Sequence, residues 1–182
     1  SDRDTRIELP LRRVLRIGTF GGAFVFASDL PFTSTFETPY TGADDDPTGV
    51  LLESWYGARV DRRPAGFPLT LHGTTYEPGF AVHARSRVAL DLAGRFVSFK
   101  ALVGVDDLAL AEKGGGIVDA RVSADGKVLW EAKGLQAGQA PRTVGPLDVT
   151  GVDALVLEID FGPDGLHVRD YATWADPVLH RK

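Results

Sequence analysis

The chain has 182 residues, 43% hydrophobic and 25% charged, with a net charge of -5, so it can bury one sizeable core, and it carries no positive field suited to nucleic acid. No apolar run approaches the ~20 residues of a membrane-spanning helix, which speaks against membrane insertion. Cysteine is absent, which excludes disulfides, thiolate chemistry and cysteine zinc sites, and the start at Ser1 without methionine suggests a mature form or a domain cut from a longer protein.

Residues 1–67 read as a lead-in to the main domain. Candidate strands at Arg12–Ile17 and Ala23–Ala27 flank a Gly21-Gly22 turn, and their alternating arginines suit an edge hairpin better than a basic patch. From Pro31 to Pro68 the pattern is irregular, as expected of a wrap over a sheet, with a short strand expected at Val50–Tyr56 and the acidic run Asp44-Asp45-Asp46 as a loop tip.

Residues 68–182 carry the clear signal. Gly73 to Ala84 reads as a turn into a buried strand that ends on His83. Val88, Leu90 and Leu92 share one face, as do Val97, Phe99, Ala101 and Val103, then Val118, Ala120 and Val122, then Leu155, Leu157 and Ile159, with Glu158 and Asp160 facing outward. Asp125-Gly126 marks a two-residue hairpin turn. Short alternating strands without crossover helices predict an all-β, antiparallel β-sandwich.

Several residues have both a chemical and a structural reading. Trp174 can offer a large rigid apolar face to a ligand or close the core at the end of the last strand. His83 can bond ligand hydroxyls through its two ring nitrogens, or be held by the backbone or by Asp170. Asp106, Asp107, Asp170 and Asp176 are the best carboxylates for calcium or for hydroxyl groups, with carbonyls of the Gly114–Gly116 loop as further oxygen donors, and each also suits a turn. No carboxylate pair and no serine beside a base stands out as catalytic machinery, so an enzyme is not expected.

Gly79-Phe80-Ala81-Val82-His83-Ala84, Leu92-Ala93-Gly94-Arg95-Phe96 with Phe99 through Asp107, Ala124 through Trp130, and Asp170 with Trp174-Ala175-Asp176 together resemble the NPCBM domain of carbohydrate-binding module family 51, over about residues 68–180. The resemblance implies a galactose-binding-like jelly roll without catalytic activity that binds galactose-containing glycans, often with a structural calcium. It also implies attachment to other domains of a glycoside hydrolase or bacterial surface protein, hence an extracellular, periplasmic or cell-surface location. On this basis His83, Asp170, Tyr171 and Trp174 are the expected sugar contacts and Asp106, Asp107 and Asp176 the expected calcium ligands. The sequence departs from the family string Asp-His-x-Asp-Trp-Ala-Asp, since Tyr171 replaces its histidine and Thr173 its second aspartate. Those changes raise the alternative of a structural or protein-interaction sandwich that has lost the sugar site.

Overall fold

A computed structural model describes residues 22–38, 50–111 and 115–182. Among them the strands are β1 (Phe24–Phe26), β2 (Phe32–Phe36), β3 (Arg59–Val60), β4 (Leu69–Leu71), β5 (Thr74–Tyr76), β6 (Gly79–His83), β7 (Ser86–Asp91), β8 (Phe96–Val105), β9 (Ile117–Ala124), β10 (Lys127–Gln136), β11 (Arg142–Asp148), β12 (Ala154–Phe161) and β13 (Tyr171–Arg181), with one α-helix, α1 (Val50–Tyr56), and three short 3-10 turns. One sheet runs β11-β8-β13-β6-β3 with β1 also on β13, the other runs β10-β9-β12-β7-β2, and β4-β5 form a separate hairpin. The pairs are antiparallel. The expected antiparallel β-sandwich is therefore the observed architecture.

Alternation explains the two layers. On β12, Leu155, Leu157 and Ile159 are buried, and their register partners Val88 and Leu90 on β7 and Ala120, Val122 and Ala124 on β9 complete one wall of the core. Asp125 and Gly126 both take positive φ, 46° and 80°, the geometry a tight two-residue turn between twisted strands requires. One expected face shifts: Phe96 and Phe99 are both fully buried while Val97 is only half-buried, because the β8–β13 register slips between His180 and Arg181.

β13 is the central strand of its sheet. It pairs with β8 along one side, and on the other side β6 and β1 lie end to end, opposite residues 171–175 and 178–180. A bulge at Asp176-Pro177 separates these halves; Asp176 has φ 47° and its N–H donates to Pro78 O at 3.0 Å. Gly79 must be glycine here, since a Cβ would collide with the Trp174 carbonyl and the Leu69 side chain.

Two expectations about the lead-in change. β1, β2 and β3 are hydrogen-bonded members of the two sheets, so residue 68 does not separate an appendage from the sandwich. Val50–Tyr56 is a helix and not a strand: its apolar residues do not alternate, and the turn closes with Gly57 N–H donating to Glu53 O at 3.0 Å. The Arg59 guanidinium adds bonds to the Glu53 and Ser54 carbonyls. The expected strand at Arg12–Ile17, the Gly21-Gly22 turn and the Asp44-Asp45-Asp46 run lie outside the described residues.

Candidate functional site

In β6, Phe80 and Val82 point into the core, so Ala81 and His83 face outward, where α1 lies over the sheet. Tyr171 of β13 is the register partner of His83. The His83 ring sits edge-on between Tyr56 of α1 (centroids 4.8 Å apart) and Tyr171 (5.0 Å), with His167 at 6.3 Å and Phe36 stacked on Tyr56. Burial depresses the His83 pKa to about 4, against the opposing pull of the Ala84 carbonyl, and nearby His167 lowers it further. The ring is thus neutral near pH 7. With Nδ1–H donating to Ala84 O at 2.7 Å, Nε2 is left as an acceptor.

Asp170 adjoins this cluster and is 1% exposed. Its Oδ1 accepts the Ile117 N–H at 3.0 Å, while Oδ2 is buried without a hydrogen-bond partner. Burial raises its pKa to about 7; the Ile117 bond opposes that shift and the charge of Asp164 reinforces it.

Trp174 does not join this surface. It is fully buried in the inter-sheet core, with Nε1 lacking a hydrogen-bond partner, so the sugar-stacking role expected for it is corrected to core packing. The cause is strand parity: Ala172 and Trp174 point inward, and Tyr171 and Thr173 point outward.

The expected calcium ligands are engaged by other groups or stand apart. Asp106 is 1% exposed and accepts from Arg63 Nη1 (2.8 Å), Thr70 N (3.1 Å), Thr70 Oγ1 (3.4 Å), Leu108 N (2.9 Å) and Thr173 Oγ1 (3.0 Å). Thr173, a departure from the family string, is therefore a donor that this buried carboxylate uses. Asp107 accepts from the His72 and Gly73 N–H groups at 2.9 and 2.8 Å and pins the β4–β5 turn. Asp176 stands on the β13 bulge, its pKa raised by burial against the opposing charge of Lys100. The Gly116 carbonyl already accepts the Ala137 N–H. Asp106 in particular is saturated by donors, and among the described residues no group of three carboxylates or histidines is arranged to hold a metal.

An exposed aromatic does stand nearby, contributed by the irregular region that carries little sequence signal. Trp55 on α1 is 62% exposed. It borders a narrow crevice of about 10 Å³, room for one water, shared with Arg63, Asp106 and Tyr171. It also borders an open trough of about 610 Å³ lined by Ser54, Arg59, Val60, Arg62, Arg63, Pro64 and Gly66. The trough has the volume of a small-ligand site, with one large aromatic face and several N–H donors. Only the aspect of a helix shorter than two turns could have marked Trp55 in the sequence, and seven residues are too few for that pattern to stand out.

An antiparallel sandwich with an aromatic and polar outer surface is an architecture that noncatalytic carbohydrate-binding modules share. The NPCBM/NEW2 domain model matches residues 25–180, and the chain belongs to that family. Its fold is similar to that of CBM51 from Clostridium perfringens GH95 in complex with methyl-galactose, at 18% identity over 86% of this chain and 99% of that one, with a TM-score of 0.69. It is also similar to CBM51-2 with the INT domains of Clostridium perfringens ZmpB, solved with GlcNAc, at 21% identity over 87% of this chain and 31% of that longer one, TM-score 0.70. Tandem CBM51 modules of Sp3GH98 from Streptococcus pneumoniae align at 19% identity over 88% of this chain and 47% of theirs, TM-score 0.66. No curated protein sequence matches the chain.

Proposed function

We propose that this domain binds a galactose-containing glycan in the trough beside Trp55, as one module of a larger bacterial protein that is extracellular, periplasmic or cell-surface. The observation that carries the reading is Trp55, exposed on the rim of a concavity large enough for a sugar. The indole offers a rigid apolar face to the axial hydrogens of a pyranose, while Arg62, Arg63 and Ser54 offer hydrogen-bond partners to hydroxyl groups. His83, Asp170 and Tyr171 act behind the site, holding α1 and the end of β13 in position. The methyl-galactose complex of the Clostridium perfringens module supports the sugar class. The long multidomain chains that carry similar modules support the attachment.

The test is calorimetric titration with methyl-galactoside and galactose-containing oligosaccharides. Single-site dissociation constants between ~1 μM and ~1 mM are expected, weakened at least about tenfold by Trp55→Ala. Silence across neutral and charged glycans at millimolar ligand overturns the reading.

A second reading has its own support. Trp174 is packed away, and Phe67, 59% exposed, adds apolar surface near Arg63. Such a surface also suits a protein partner, which is the reading to adopt if no glycan binds.

A further inference from the structure

The eight residues lining the Trp55 trough include three arginines and no carboxylate, on a chain whose net charge is -5. The side chains of these arginines are differently engaged. Arg59 donates to two main-chain carbonyls, which are neutral acceptors, and among the described residues no carboxylate pairs with it. Arg62 meets Glu77 only at 4.0 Å, with both side chains about half exposed, a contact that contributes little and breaks easily. Arg63 gives Nη1 to the buried Asp106 carboxylate at 2.8 Å, which meets its charge. Solvated arginines scattered over a surface need no explanation. Two arginines whose charge is weakly met, beside an exposed indole on a concavity that no carboxylate lines, form a site shaped for a ring that carries negative charge.

From this placement we propose that the trough selects an acidic sugar, one bearing a carboxylate or a sulfate ester, over its neutral counterpart; this rests on the glycan-binding reading above. The guanidinium fork matches the paired oxygens of either group, and a bidentate bond charged on both sides is stronger than one to a neutral hydroxyl. Trp55 would hold the ring face while the anionic substituent meets the arginines. Hexuronates and sulfated hexoses share this chemistry, and the experiment separates them.

The intact domain is titrated with neutral galactan oligosaccharides, with galacturonate oligosaccharides and with sulfated galactan oligosaccharides of matched length. The expected result is tighter binding of at least one acidic series by about tenfold or more, with the difference shrinking at high salt. Arg62→Gln, at an exposed position, should remove a large part of that preference without changing the melting temperature. Arg59→Gln should do the same, although it also takes two bonds from the end of α1. Equal binding of neutral and acidic series overturns the acidic-sugar inference and leaves the glycan reading standing. An acidic preference untouched by both arginine variants also overturns it, because the charge would then be read elsewhere. Binding of none of the three series removes both readings together.

Discussion

Asp106 and Asp170 are each 1% exposed, and their surroundings could hardly differ more. Around Asp106 the chain converges from four directions. Arg63, Thr70, Leu108 and Thr173 all donate to it, so an ionised carboxylate is compensated by one cation and neutral donors, and the covering layer is tied to β13. Around Asp170 one N–H arrives and one oxygen is left alone. The first region spends its polar groups on stability; the second holds a carboxylate that burial makes reluctant to ionise. A buried aspartate in a family motif therefore says little about role until its donors are counted.

The largest expected effect breaks the first region. Asp106→Ala leaves Arg63 and both threonine hydroxyls without their shared acceptor and should cost about 3 kcal/mol in chemical denaturation. A loss within error of zero would mean that the covering layer does not depend on this carboxylate.

A smaller effect of opposite sign is expected at Asp170. Unfolded, it titrates near 3.8; folded, near 7. Between those values the folded state holds a proton that the unfolded state has released, so its contribution to stability falls as pH rises through the window and stays low above it. Asp170→Asn keeps an acceptor for Ile117 and should raise stability at about pH 8 by about 1–2 kcal/mol. His83 works in the opposite sense: its pKa drops from 6.5 to about 4 on folding, so its contribution rises with pH across that range. The two nearly offset each other in the wild type. The asparagine variant should therefore show a steeper loss of stability on acidification below about pH 6.5, and an unchanged profile would break the contrast.

The smallest expected effect is none. With Asp106, Asp107 and Asp176 occupied or apart, melting curves in excess calcium and in excess EDTA should superimpose. A calcium-dependent rise would show that the folded domain holds a cation after all.

Most of the sandwich was legible because half-buried strands print a period of two, as in Leu155–Ile159 or Val118–Val122. β2 was not, since Phe32-Thr33-Ser34-Thr35-Phe36 sits among prolines and its alternation is short. α1 was missed because three consecutive apolar residues at its start fit a strand or a helix equally. The aromatic cluster was only half legible: His83 and Tyr171 stood out in family motifs, but their partners Tyr56 and His167 come from segments with no periodicity, and pairing across such separations leaves no local trace. Trp174 misled because it shares a motif with Tyr171 while pointing to the opposite side of the strand.

The end-to-end arrangement of β6 and β1 along β13 gives the domain a front and a back. Phe24 pairs with His180 at one end of β13, and Tyr171, against which α1 and His83 are arranged, stands at the other. Eleven residues of strand place these ends at most about 33 Å apart. Phe24 and His180 therefore share one pole of the sandwich, and the first described strand enters and the last one leaves on the side away from Tyr171 and α1.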